Sequence, residues 1–287
     1  YNKILVIIST LSLISLYRGF REWKMHSFAS NYRIIEAGYP TIYTIEIGLY
    51  IFISLFCFMK IKNIYFKIIS GLIFLFSCFV LVGTHSRVTL ILVPLLLLGL
   101  GTYYLIKNKK INLKYLFFVG IIGILFLNSS LLEQHTERLD TINNFKKIKN
   151  DVRVKIYIKG LKDFKENNYK SLGYRYYVNH NLDAVSWEKT PHLHNNILEV
   201  MVTEGIGALV FYIFYNIYLF KLLLKRLKEN ITEEQKNMTK LSIVLFIFIN
   251  LAGLVDSNIY FYKINLIISL IYGLSFCNII KDNESLK

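Results

Sequence analysis

Proline and cysteine are both scarce in this chain, three of each in 287 residues. With so few prolines there is no proline-rich linker or recognition segment. Cys57, Cys78 and Cys277 lie far from any CxxC spacing and inside apolar stretches, which excludes a disulfide framework and a cysteine zinc site. Glycine/serine-rich linkers and internal repeats are absent too, so residues 1–287 read as one domain. Acids are outnumbered, 19 against 34 lysines and arginines, for a net charge of +15.

What fills the chain instead is apolar: 54% of residues are hydrophobic and 15% aromatic, too much for a soluble domain of this length. Stretches near the ~20 residues that cross a bilayer recur at 3–16, 40–59, 65–84, 88–106, 115–132, 196–220, 241–255 and 264–280. The expected fold is therefore all-α, a polytopic membrane protein with about eight transmembrane helices. The first stretch is short and the chain opens on Tyr1, so further spans are expected ahead of it.

Lysines set the orientation. Lys60, Lys62 and Lys67 follow the second stretch, Lys107, Lys109, Lys110 and Lys114 the fourth, and Lys221, Lys225, Arg226, Lys228, Lys236 and Lys240 the sixth. Short connectors rich in lysine stay in the cytoplasm. The other side receives 17–39, the tight turn 85–87, the long segment 133–194 and 256–263. That long segment is itself basic, but loops beyond ~60 residues translocate regardless of charge. Most of its lysines read as a solvated helix face. A basic outer surface also concentrates an anion. Nucleic acid is excluded, because no groove-reading module is present and this face lies outside the cell. A lipid-linked phosphate suits the position better.

Three features stand out. Arg87 sits in GTHSRVTL at the junction of two spans, either snorkelling to headgroups or offering its planar fork to phosphate oxygens. In DVRVKIYIKGLKDFKENNYKSLGYRYY (151–177), Val152, Ile156, Ile158, Leu161 and Phe164 predict a short amphipathic helix on the membrane surface. Arg153 stands at its start, where backbone donors favour anions. The third, HLHNNILEVMVTEGIG (192–207), predicts a short helix, a break at Gly205 and Gly207, and then a span. His194 and Asn195 open that helix, the histidine serving either as a structural group or as a general base. His192 and His194 form an HxH pair, but with no defined carboxylate partner they are not read as a metal site.

In order and spacing these motifs resemble those of the bacterial O-antigen ligases and the related O-antigen and capsular polysaccharide polymerases. THSR with Arg87, DVRVKIYIKGLKDF with Arg153, the small-residue break at Gly173, and HLHNNILEVMVTEGIG with its Glu204-Gly205-Ile206-Gly207 element match in turn, followed by Asp256 in GLVDSN. The resemblance spans about 65–280, with the loop 133–194 as its large extracytoplasmic loop. One departure is YRYY after Gly173, with Arg175 where a small residue is common. The family usually has about twelve spans, which again implies spans ahead of Tyr1.

The resemblance implies an enzyme of the bacterial inner membrane. It would move a glycan from undecaprenyl diphosphate to an acceptor sugar on the periplasmic face, without metal or other cofactor. The HLHN form points to ligation onto lipid A-core, with polymerisation of lipid-linked repeat units as the alternative and a lipid-linked glycan flippase as the non-enzyme reading. Arg87 and Arg153 would hold the donor diphosphate and His194 would act as base, with Asn195, Glu204, Gly205, Gly207 and Asp256 in support. Such a site needs cations where a diphosphate leaves and a base near a weak hydroxyl nucleophile.

Overall fold

Helix α2 (Pro40–Lys60) carries Thr41, Tyr43, Thr44, Glu46, Tyr50 and Ser54 within an apolar run. Lipid offers such groups no partners, so they must meet other helices. The computed structural model describes residues 2–28, 34, 40–84, 86–108, 120, 152–179 and 192–277. There α2 runs through the middle of a helical bundle, with 83% of its apolar window buried. Tyr43 donates to the Ser15 carbonyl of α1 (Asn2–Met25) at 2.9 Å. The Thr44 hydroxyl lies 3.1 Å from that of Ser86 and accepts from Thr89 at 3.0 Å. Glu46 takes the Tyr50 hydroxyl and pairs with Lys263 at 2.8 Å.

Every regular element among the described residues is helical. After α1 and α2 come α3 (Ile64–Gly83), α4 (Arg87–Asn108) and α5 (Val152–Glu166), then the single turns α6 (Tyr176–Asn179) and α7 (Asn196–Glu199). A π-helical turn, Val200–Glu204, continues α7, and α8 (Ile206–Lys228), α9 (Glu233–Gly253) and α10 (Tyr262–Phe276) follow. Five of these, α1, α2, α3, α8 and α9, are long and apolar enough to cross a membrane, while Val88–Thr102 of α4 and Tyr262–Phe276 are shorter apolar helices.

The observed limits correct several expected ones. α1 extends to Met25 rather than ending near 16, because Phe20 and Trp23 pack against Phe79 of α3 and hold its last turns. α9 begins at Glu233, two turns before the apolar run at 241, since Thr232 and Gln235 close a reciprocal capping box there. The span expected at 196–220 instead starts at Ile206, as Gly205 adopts φ +94° and ends the preceding helix. The stretch 115–132 lies outside the described residues apart from Gly120, and of the loop 133–194 only 152–179 and 192–194 are described.

α8 is the opposite of α2: 6% of its window is buried, and Phe211, Phe214 and Tyr218 point away from the protein. An apolar side chain facing lipid loses nothing relative to one facing another helix. A second, smaller core lies apart from the bundle, where Ile156 and Phe164 of α5 meet Tyr177, Leu193 and Val202. Gly160 lies on that same face, and a Cβ there would run into the Leu193 side chain. α5 therefore docks directly on the stretch between His192 and His194.

Candidate functional site

Three consecutive residues of the HLHNN stretch pair with three consecutive residues of the turn between α9 and α10. His194 Nδ1 lies 3.0 Å from Asp256 Oδ1. The Asn195 backbone N–H donates to Ser257 Oγ at 3.0 Å, and its side-chain amide to the Leu254 carbonyl at 2.8 Å. Asn196 and Asn258 bond twice, side-chain amide to Oδ1 at 2.8 Å and backbone N–H to Oδ1 at 2.9 Å. Asn195 also caps α7 by accepting from the Leu198 N–H at 3.0 Å. Gly253 makes the approach possible, as a Cβ there would overlap the Asn196 amide.

His194 has φ +53°. For a residue with a Cβ that left-handed conformation costs roughly 1–3 kcal/mol and persists only where the surroundings impose it. Here its N–H reaches His192 Nδ1 at 3.3 Å, its carbonyl accepts the Tyr157 hydroxyl of α5 at 3.2 Å, and its ring is held by Asp256. The two imidazoles meet edge to face with centroids 4.3 Å apart.

Protonation follows from burial and partners. Burial alone would raise the Asp256 carboxyl, but the hydrogen bond from His194 and the nearby imidazoles hold it down at about 2. An ionised carboxylate only accepts, so His194 Nδ1 carries the proton it shares with Asp256, and in the base form of the ring the lone pair is at Nε2. Burial, reinforced by the charge of His194, lowers His192 to about 4 against the opposing pull of Asp256. A neutral His192, 3.7 Å from Asp256 Oδ1, is a polar neighbour rather than an ion-pair partner.

Asp256 supplies the carboxylate that the HxH pair lacked in the sequence. Ligand atoms of His192, His194 and Asp256 all lie within 4.8 Å of one another, a spacing a divalent ion could accept. An ion there would displace the proton that His194 shares with Asp256. As they stand, the three groups form a hydrogen-bonded histidine–aspartate pair with a second imidazole alongside.

Glu199 belongs to the same network although sequence reasoning passed it over. It is fully buried, and its Oε2 accepts the Leu193 N–H at 2.5 Å with Ser257 Oγ at 3.5 Å. Burial raises its carboxyl to about 7 despite those two bonds. A signal existed: Asn196, Glu199 and Thr203 fall at i, i+3 and i+7, a polar stripe on an otherwise apolar helix. Ser257, Asn258 and Tyr157 were missed as well, and only their contacts reveal them.

The remaining expected residues are placed as follows. Glu204 ends the π-helical turn and accepts from the Tyr260 hydroxyl at 3.3 Å. Gly205 packs on Ser171, whereas Gly207 lies exposed inside α8, where an added Cβ would meet nothing within 4 Å. Arg153 occupies the first turn of α5, one turn before Tyr157 and so on the face that meets His194. Arg87 opens α4, next to Ser86, whose hydroxyl lies by Thr44. One turn away on α2, the Thr41 side chain lies beside Asp256, so the first turn of α2 joins the start of α4 to the histidine–aspartate pair. Gly173 has φ +108° and Arg175 φ +52°, which explains why a small residue suits position 175.

A bundle of apolar helices, five of them long enough to cross a membrane, with a hydrogen-bonded polar cluster that meets an amphipathic helix, defines a membrane protein. Residues 72–213, about half of the chain, match the family model described as O-Antigen ligase, and the chain belongs to this O-antigen ligase-like family. The matched region contains Arg87, Arg153, His194, Gly205 and Gly207, and stops short of Asp256. A search of curated proteins gives no match.

Proposed function

We propose that the chain transfers a glycan from undecaprenyl diphosphate to an acceptor hydroxyl on the periplasmic face of a bacterial inner membrane, as an O-antigen ligase acting on lipid A-core. The observation that carries this reading is the 3.0 Å contact between His194 and Asp256. Asp256 fixes the imidazole with Nε2 free, in position to take the proton of the acceptor hydroxyl as its oxygen attacks the anomeric carbon. The bond from that carbon to the phosphate oxygen breaks, and undecaprenyl diphosphate leaves with the electron pair. Arg87 and Arg153 would stabilise the charge that develops on it, each at a helix start where backbone N–H groups add to the positive field. Polymerisation uses the same steps with a second lipid-linked repeat unit as acceptor.

A donor-turnover assay with the purified chain reconstituted in liposomes tests the class. Release of undecaprenyl diphosphate dependent on acceptor is expected. Protein that moves lipid-linked glycan between leaflets yet releases no diphosphate would be a flippase. A deletion strain then separates the acceptors: loss of all O-antigen with lipid-linked polymer intact supports the ligase, and a single repeat left on the core supports the polymerase.

A further inference from the structure

The loop after α5 folds back onto the π-helical turn. The Leu172 N–H donates to the Val202 carbonyl at 3.1 Å, the Gly173 N–H to the Thr203 carbonyl at 2.9 Å, and Ser171 Oγ to that same carbonyl at 2.5 Å. Gly173 at φ +108° and Arg175 at φ +52° then turn the chain, and the Tyr176 N–H closes the turn on the Gly173 carbonyl at 3.1 Å. Glycine takes such backbone freely, but arginine does so only where the surroundings impose it. The Arg175 side chain bonds to no described residue, so its own contacts do not explain the conformation. What the turn fixes is Tyr174, between the two.

Tyr174 is 65% exposed, yet its ring has a defined place. It meets Tyr260 with centroids 5.2 Å apart and planes at 90°. Tyr260 is fixed in turn, its hydroxyl lying 2.9 Å from Thr203 Oγ1 and 3.3 Å from Glu204 Oε1. Among the described residues, neither the Tyr174 hydroxyl nor Glu204 Oε2 has a hydrogen-bond partner. The result is a right-angled aromatic corner with a phenol hydroxyl and a carboxyl oxygen open beside it.

That combination suits a sugar. A pyranose has a face of slightly positive C–H groups that stacks on the electron-rich face of a ring, and hydroxyls at its edge that donate to a carboxyl oxygen or a phenol. An acyl chain would cover Glu204 Oε2 without bonding it, and a phosphate oxygen would set one acceptor against another. Position agrees with chemistry. Thr203 and Tyr260 face each other beyond Asn196 and Asn258, and from Asn196 to Thr203 the helix rises about 10 Å. A chain of sugars with one end at His194 spans that distance.

We propose that Tyr174, Tyr260 and Glu204 form a saccharide subsite, which holds a sugar beyond the one that reacts. The subsite rests on the transferase reading for the source of its glycan, donor or acceptor.

Binding is read without turnover, by calorimetric titration of the full chain in detergent. One probe is the repeat-unit oligosaccharide released by mild acid from the producing strain's lipid-linked glycan, and the other is that strain's core oligosaccharide. Tyr174→Ala is expected to weaken binding of at least one of them about tenfold, and Tyr174→Phe, which keeps the ring, by about twofold or less. The probe affected tells donor from acceptor. Affinities that Tyr174→Ala leaves unchanged, or wild-type protein that binds neither probe, overturn the subsite. Binding that depends on Tyr174 in a chain that never releases undecaprenyl diphosphate supports the subsite and sinks the transferase reading. Should Tyr174→Ala lose the wild-type melting transition, an oligosaccharide carrying a diazirine is crosslinked to the unaltered protein. Adducts within 171–176, at Glu204 or at Tyr260 support the corner, and adducts only elsewhere, or none, overturn it.

Discussion

His194 and Asp256 stand 62 residues apart in the chain and 3.0 Å apart in space, and the next two residues of each segment pair in the same register. The ring of the proposed base is thus oriented by the turn between α9 and α10, while its backbone is held by its own loop. His194→Ala should abolish transfer and leave donor binding intact, because a base acts on the acceptor proton and not on the diphosphate. Asp256→Asn keeps the shape but no longer selects the tautomer, and kcat should fall by about 10² to 10⁴ with KM for the donor little changed. Wild-type turnover in His194→Ala would reduce HLHN to a polar helix start.

Glu199 gives a pH dependence of known sign. Its folded carboxyl lies at about 7, raised from 4.5, so its contribution to stability is complete below 4.5 and is lost as pH rises through 7. His192, lowered to about 4, acts oppositely in the same window, its contribution being lost as pH falls from 6.5 through 4. The two slopes offset each other in the wild type. Glu199→Gln removes one of them, so its melting temperature relative to wild type should climb from pH 4.5 to 7.5. A difference that stays flat across that range would mean Glu199 is ionised in the fold.

The arginines separate geometry from charge. If Arg87 grips phosphate through its fork, Arg87→Lys should lose nearly as much activity as Arg87→Ala; full function with lysine would leave Arg87 as a headgroup anchor. Arg153→Ala should weaken donor binding, and its deficit should narrow as salt rises, since salt screens the attraction that only the wild type has. Expression and melting behaviour of each variant must match wild type before these readings count.

Chelation distinguishes the two uses of the His192, His194 and Asp256 cluster. Turnover should be unaffected by prolonged EDTA dialysis. Loss of activity restored by Zn²⁺ would reassign all three side chains as ligands.

Orientation is open to cysteine labelling. Cys57 and Cys78 are buried but Cys277 is exposed, so all three must be replaced first. Single cysteines within 146–149 should react with an impermeant maleimide from outside, and those in the connector 225–240 should not. The reverse pattern would remove the mechanism along with the topology.

Much of this was readable in the chain and the rest was not, for identifiable reasons. The polar start at His194 and Asn195, the break at Gly205 and the amphipathic helix carrying Arg153 are local patterns, set by spacing and by one positive φ, and local patterns survive in sequence. The burial of α2 was hidden because every span is apolar, and only its hydroxyls and Glu46 hinted that it faces protein rather than lipid. The true extents of α1 and α9 depend on an aromatic contact and a capping box outside the apolar runs that were counted. The imidazole–carboxylate pair joins two segments separated by two whole spans, and Glu199 looked like one more helix acid until its carboxyl was found on the Leu193 N–H.

That pairing also sets an order in time. During synthesis His194 leaves the ribosome well before Asp256, with α8 and α9 in between. Until the hairpin with Asp256 inserts, His192 and the Tyr157 hydroxyl can already hold the His194 backbone, but nothing chooses the nitrogen that bears its proton. On the proposed reaction, a nascent chain halted after α9 would carry both arginines and still lack an oriented base. The proposed base is oriented only when the turn after α9 folds back onto a loop made more than fifty residues earlier.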